Sequence, residues 1–329
     1  MSMLLRTSWP AISRISSVGL SLVLLAAITY GLSTRIDAKE LLDITSRIDL
    51  RWLGVAILLM FAQIAVTVFR LRLVAEDVAG TPQPYSRYAA IQWLTLFINH
   101  GVPVAAIGEA ARVAIIRSML KLSLTNAFRV LVYDRLWGLL GMAVIGTIFS
   151  ALQLIEDVDG SLVWSQFIVW AAVGGGFVLL AILRQYAGLV PWLRLRQLLL
   201  IAAGYFDSWH SLRRLLLQGV CAAWYIVLAA IVLWSIAQGL GLGLYFSAAL
   251  LFSPIILFSM SLPFFYAGWG AREAVVVATL GHASNMSASG ALALSFGYGV
   301  VYLIASLPGG GVWAVKSTKS RTHTDGWRE

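Results

Sequence analysis

Six ionisable residues fall inside stretches that are otherwise apolar: Glu109 and Arg112, the adjacent Asp134 and Arg135, and the adjacent Arg272 and Glu273. Exposed at the centre of a bilayer, each would cost about 2.5–3.5 kcal/mol. They must therefore face one another or a polar cavity. Glu109 and Arg112 are three positions apart on one helical face and can pair directly. The other two pairs are sequence neighbours that point about 100° apart on a helix, so those four residues need partners on other helices. Arginine offers a planar fork of permanently charged donors suited to phosphate or carboxylate, which makes anion binding the chemistry this set could perform. The alternative is a structural ion-pair network that pins helices together, and one cluster can do both.

The residues ahead of these charges are helix breakers. Asn99, Gly101, Pro103 and Gly108 precede the first pair, while Pro263, Gly268 and Gly270 precede the last. If half-helices begin near Ala105 and Gly270, their first N–H groups and positive dipole ends face the break, as in phosphate sites. Arg112, Arg135, Arg272 and the shallower Arg129 would serve the same anion, and Asn99 could hydrogen-bond across the first break. Glu109 and Glu273 have two readings, as first-turn partners of the dipole or as proton-coupling groups, and the sequence leaves both open. His100 and His282 read as ordinary polar residues, and Trp269 is the tryptophan placed to touch a ligand. No spacing suits a metal or cofactor. H-E-x-x-H, G-x-S-x-G and a glycine-rich nucleotide loop are missing. Tyr133-Asp134 matches half of an intramembrane aspartyl dyad, but Gly239-Leu240-Gly241 runs into Leu242 where a second Asp would belong. No enzyme is expected.

What must hold such charges is a membrane protein. Hydrophobic residues make up 60% of the 329 and charged ones 12%, against about 25% charged in soluble domains. The net charge of +9 then reads as the basic cytoplasmic flank of membrane helices, not as a nucleic-acid surface, and the lone Cys221 forms no internal disulfide. About six full spans are expected, near 15–33, 52–72, 126–154, 162–183, 215–237 and 288–315. The second closes on Arg70 and Arg72 as cytoplasmic end markers. The loop at 35–51 lays Leu41, Leu42 and Ile44 along the interface, and 184–214, with five Arg against one Asp, is a cytoplasmic interfacial segment. Lys316, Lys319 and Arg321 place the C-terminus inside, with the N-terminus.

Two apolar stretches, 85–121 and 245–281, are interrupted midway. Flanking charge puts both ends of the first inside and both ends of the second outside, so each is re-entrant or a pair of short helices. The fold expected is an all-α polytopic membrane protein, a single domain over 1–329. Its halves, about 15–154 and 162–315, form an inverted-topology repeat. Helices broken at matching positions of inverted halves point to a secondary transporter with its site between the repeats. The bland alternative is that Pro and Gly kink ordinary spans.

Taken in order, Asn99, Pro103, Gly108-Glu109, Arg112, Asp134-Arg135 with Gly138, Gly268, Gly270, Arg272-Glu273 and Leu307-Pro308-Gly309-Gly310 resemble the flippase-like transmembrane domain of the lysylphosphatidylglycerol synthase family. The likeness runs from the first span to about Lys316. It implies a free-standing member, in a bacterial or archaeal cytoplasmic membrane, that moves an anionic phospholipid or polyprenyl-type headgroup between leaflets. Synthase activity in that family belongs to a separate soluble domain. The resemblance assigns substrate contact to Glu109, Arg112, Asp134, Arg135, Arg272 and Glu273. The first break carries less glycine than many relatives do, which bears on which lipid is bound. A non-transporting scaffold or regulator of envelope lipid or glycan synthesis is the competing reading, and an intramembrane enzyme acting on a lipid carrier is the third.

Overall fold

The computed structural model describes residues 37–101, 105–155, 160–186, 200–201, 204–208, 211–261, 270–283 and 286–315, and every regular element among them is helical. In chain order these are α1 (Ala38–Ser46), α2 (Leu50–Ala79), α3 (Tyr85–Gly101), α4 (Ala105–Leu120), α5 (Leu124–Ile155), α6 (Gly160–Tyr186), α7 (Leu212–Gly239), α8 (Phe246–Ser261), α9 (Ala271–Ala283) and α10 (Ala288–Ser306), with a 3-10 turn at Gly204–Ser208. Among the described residues, four helices are long and apolar enough to cross a membrane: Leu50–Ala79, Leu124–Leu152, Leu212–Gly239 and Ala288–Val315. The helix expected at 162–183 is present as α6, and that expected at 15–33 lies outside the described residues.

Local chemistry explains the ends. Asp49 caps α2 by accepting from the Arg51 N–H at 2.9 Å, and the helix runs without interruption until Gly80, whose φ of 69° is the left-handed conformation glycine adopts freely. Ser287 caps α10 by accepting from the Gly290 N–H at 3.0 Å. The 35–51 loop holds a capped helix, α1, with Leu42 exposed and Leu41 and Ile44 packed on the core; Asp37 at its start accepts from, and donates to, Ser289 of α10.

Both interrupted stretches fold as two half-helices packed side by side, α3 on α4 and α8 on α9. Gly108 permits the first of these packings, since a Cβ there would collide with the side-chain amide of Asn99. The breaker residues Pro103, Pro263 and Gly268 lie outside the described residues; Gly101 ends α3, and Gly270, with φ 89°, precedes α9. Pro254 sits inside α8 without ending it. Of the 184–214 segment, Tyr205 is fully buried against Tyr133 and Trp137.

The centre of the molecule is the α2–α7 pair. Asp49 N–H bonds the Gly239 carbonyl at 2.8 Å, Gln63 Nε2 reaches the Tyr225 carbonyl at 3.1 Å, and Asp77 meets Arg214 and Gln218. Those contacts run in opposite sequence directions, so the two helices are antiparallel. The series α2, α3, α4, α5 also recurs as α7, α8, α9, α10. Tyr85 and Phe246, which open the first half-helices, are 161 positions apart, as are the left-handed glycines Gly80 and Gly241 that follow α2 and α7.

Candidate functional site

Asp134, on α5 and only 2% exposed, is the hub. Arg70 Nε of α2 donates to its Oδ1 at 2.9 Å and Arg112 Nη2 of α4 donates to its Oδ2 at 2.8 Å. Both arginines are themselves buried, at 7% and 5% exposure. The neighbouring Arg135 donates from Nη2 to Glu109 Oε1. Its side chain is 43% exposed and that of Glu109 28%, so this second pair is the more accessible one. Gln92 of α3 lies 3.4 Å from Arg112 Nη2, and the Tyr225 ring of α7 underlies the Arg70 guanidinium at 5.7 Å, a cation–π contact. A Cβ at Gly138 would lie in ordinary contact with that guanidinium, 3.8 Å from both Nη atoms.

Glu109 and Arg112 therefore do not pair with each other, although the (i, i+3) spacing allows it. Their helix lies against α5, where adjacent Asp134 and Arg135 offer each an opposite charge, and a buried carboxylate bridging two guanidiniums is better compensated than an intrahelical pair.

All five charged side chains line one cavity of about 460 Å³, within the range of about 300–1,000 Å³ usual for small-molecule sites. Its walls come from α2, α3, α4, α5, α7, α8 and α10. The lining is mixed. Beside the charges stand Gln63, Gln92, Asn99 and His100, with the hydroxyls of Thr67, Thr95 and Ser261 and the rings of Tyr225, Tyr298 and Tyr302, and aliphatic side chains such as Met60, Leu139, Met142 and Met260 contribute the remainder. His100 Nδ1 donates to the Leu96 carbonyl at 2.8 Å and its ring packs on Tyr302, 5.0 Å between centroids. On these lining residues, four enclosed atoms have no hydrogen-bond partner among the described residues: Arg70 Nη1, Arg112 Nε, Glu109 Oε2 and Asn99 Oδ1. A buried polar atom left unpaired costs about 1–3 kcal/mol, so the charged cluster is held at a cost that its ion pairs offset.

The third charged pair is built differently. Arg272 Nη2 lies 2.6 Å from Glu273 Oε1, and Ser295 of α10 joins them, accepting from Arg272 Nε at 3.0 Å and donating to Glu273 at 3.2 Å. The two residues thus bridge each other, against the expectation from their 100° separation, because the long arginine side chain folds back while sharing Ser295 as its partner on another helix. Glu273 Oε2 accepts the Gly270 N–H at 2.5 Å, which closes the first turn of α9 in the manner of a capping box. Of the two readings open for Glu273, the first-turn partner is the one observed. Arg272 and Glu273 do not line the cavity formed by the described residues; the Tyr298 ring, 5.9 Å from the Arg272 guanidinium, stands at the cavity wall. Glu273 and Ser295 are 22 positions apart, as are Arg112 and Asp134. Each second half-helix, α4 and α9, is thus tied to the helix that follows it.

Arg70 is the residue that sequence reasoning misplaced. Read as an end marker beside Arg72, it is instead buried, and α2 continues to Ala79. Only Arg72 is peripheral, paired to Glu76 one turn on at 2.7 Å. The signal available was the polar stripe Gln63, Thr67, Arg70, spaced at helical intervals along an apolar run; all three line the cavity. The Leu307-Pro308-Gly309-Gly310 motif also acquires a reason. A Cβ on Gly309 would overlap the Trp93 carbonyl and lie 2.7 Å from Phe97 Cβ, so glycine there lets the end of the last helical segment seat on α3, where Trp93 Nε1 donates to the Ala305 carbonyl at 3.1 Å.

Comparison with curated proteins gives no match. The family model described as lysylphosphatidylglycerol synthase TM region matches residues 15–310. With nine-tenths of its length covered, and with buried charges on paired half-helices inside an all-helical membrane architecture, the chain belongs to the lysylphosphatidylglycerol synthase transmembrane-region family.

Proposed function

We propose that this protein is a lipid translocator of the cytoplasmic membrane, moving an anionic or lipid-linked phosphate headgroup between leaflets without a chemical step and without a cofactor. The observation that carries this reading is the cavity in which Arg70 and Arg112, both buried, each keep one nitrogen unpartnered among the described residues, while aliphatic side chains also line it. A headgroup phosphate suits the arginines and its tails the aliphatic residues. Arg135, the most exposed of the three arginines, is the group an entering anion meets first, and Asn99, Glu109 and Asp134 complete the polar wall.

Transport is taken to follow inverted-repeat logic. Antiparallel α2 and α7, with the recurrence at an offset of 161 positions, support two halves of opposite topology, each with a re-entrant hairpin, rocking about the site between them. Six full spans with both termini inside complete the topology, in keeping with the basic flanks. The pinned Arg272–Glu273–Ser295 group serves as a joint in the second half and stays clear of the headgroup.

The test is leaflet-resolved movement of labelled phosphatidylglycerol in proteoliposomes, comparing the wild type, Arg112→Gln and Ser295→Ala at equal reconstitution. Movement by the wild type and Ser295→Ala but not by Arg112→Gln is expected. A wild type that moves no anionic lipid, or an Arg112→Gln variant as fast as the wild type, overturns the reading in favour of a scaffold whose buried charges are structural.

A further inference from the structure

Arg129, grouped in the sequence with the arginines of a single anion, does not line the central cavity of the described residues. It opens instead onto a second cavity, of about 560 Å³, whose charged wall is made by Glu76 and Asp77 of α2, Arg129 of α5 and Arg214 of α7. The two cavities share no lining residue. The second lies where α2 and α4 finish and α5 and α7 begin, at the end of the molecule that carries Arg72, Arg87 and Lys121.

Among the described side chains, charge accounting on this wall leaves one cation over. Glu76 is held by Arg72 at 2.7 Å. Asp77 accepts from Arg214 on Oδ1 and, at 2.9 Å, from Gln218 on Oδ2. Both carboxylates are thereby compensated, whereas Arg129 is exposed and forms no ion pair among the described residues. Arg214 spends one nitrogen on Asp77 and stays 43% exposed, so it keeps further donors. Ser211, on the same wall, makes no side-chain capping bond to α7, which leaves its hydroxyl for a ligand.

This set offers two guanidinium forks and a hydroxyl, on two helices, around a space of small-ligand size. Its ligand must bring negative charge and acceptor oxygens that point in several directions. A tetrahedral phosphate does so; a carboxylate has two coplanar oxygens. A cation would have to displace Arg72 or Arg214 from its carboxylate and leave a guanidinium unpaired.

We propose that this cavity is a second anion site, separate from the central one, that binds a phosphate group at the membrane surface, carried by a lipid headgroup or by a soluble ester. It is independent of the transport reading, since no lining residue is common to the two cavities.

The experiment titrates the purified full chain in detergent with short-chain phosphatidylglycerol, followed by native mass spectrometry, and with glycerol 3-phosphate, followed by calorimetry. Arg129→Gln is expected to unfold at the wild-type temperature, having no ion pair to lose, and to weaken one binding event about tenfold or more. Arg213→Gln, which removes an exposed neighbour that does not line the cavity, is expected to leave that event unchanged. Weakening of the lipid alone assigns the site to a headgroup, weakening of glycerol 3-phosphate alone to a soluble ester, and weakening of both to the phosphate whatever carries it; each supports the proposal. Wild-type binding of both probes by Arg129→Gln overturns it, and equal weakening by Arg213→Gln does so in favour of a diffuse basic surface. An event lost in Arg112→Gln and intact in Arg129→Gln belongs to the central cavity. Loss in Arg129→Gln with none in Arg112→Gln overturns the central-cavity reading and leaves this site standing.

Discussion

Replacing Asp134 by Asn should lower stability and raise anion affinity together, and that opposition of signs distinguishes a ligand site from a structural pin. Asp134 neutralises two buried guanidiniums at 2.9 and 2.8 Å. Removing one partner of a buried ion pair costs about 3–5 kcal/mol, because the remaining charge stays buried. The amide of Asn keeps the shape and one acceptor, which places the loss at the lower end, about 3 kcal/mol. For binding the balance reverses. Asp134 is an internal anion occupying the arginines that a phosphate would use, and at a separation of about 6 Å with an effective dielectric near 20 its repulsion of a singly charged ligand is about 3 kcal/mol. Part of that is offset by reorganisation of the arginines, leaving an expected gain of about tenfold. Thermal unfolding in detergent reads the first quantity and titration with short-chain phosphatidylglycerol the second. A variant whose affinity falls with its stability would refute the reasoning and assign Asp134 to structure alone.

Neighbouring arginines should behave as opposites. Arg72→Ala removes a partly exposed pair with Glu76 and is expected to cost at most about 0.5 kcal/mol, whereas Arg70→Ala uncovers Asp134 and is expected to cost about 3–5 kcal/mol; comparable unfolding temperatures for the two would return Arg70 to the periphery. Gly309→Ala should be destabilised by about 1–3 kcal/mol through overpacking on Trp93 and Phe97, read as a lower unfolding temperature. Ser295→Ala breaks hydrogen bonds to both Arg272 and Glu273 and should cost about 1–3 kcal/mol while lipid movement persists; loss of movement without loss of stability would bring the second half's charges into the transport site.

Membrane residence and the two broken stretches were legible because both rest on composition and on backbone chemistry: apolar runs of spanning length, and clusters of Gly, Pro and Asn that end helices. That the charges among apolar neighbours would be compensated was legible too, although Arg70 was misplaced and Arg272 and Glu273 do not line the cavity of the described residues. The pairing of the charges was not. Glu109 and Arg112 satisfy a local rule yet bond to α5, because tertiary packing brought Asp134 and Arg135 closer than helical spacing could disclose. Arg70 was obscured by Arg72: two arginines at the end of an apolar run look alike until one knows that α2 continues and that only the second meets Glu76. The distinction between Glu109 and Glu273 also required three dimensions. Glu273 reaches the first N–H of its own helix at Gly270, while Glu109, five residues into α4 from Ala105, is past the free N–H groups and turns to Arg135. Close approaches through Gly108 and Gly309 depend on a neighbour distant in sequence or across a break, which one chain's spacing does not reveal.

In the proposed function a lipid headgroup enters the cavity bounded by Arg70, Arg112 and Arg135. A photoactivatable phosphatidylglycerol with its reactive group at the start of one tail, cross-linked in membranes containing the full chain and mapped by mass spectrometry, addresses it directly. Labelling is expected on aliphatic residues of the cavity lining, Met60, Leu139 or Met142, and should be competed by unlabelled phosphatidylglycerol and lost in Arg112→Gln. Labelling confined to outward-facing residues such as Ile168 and Leu179, unchanged in that variant, would contradict it.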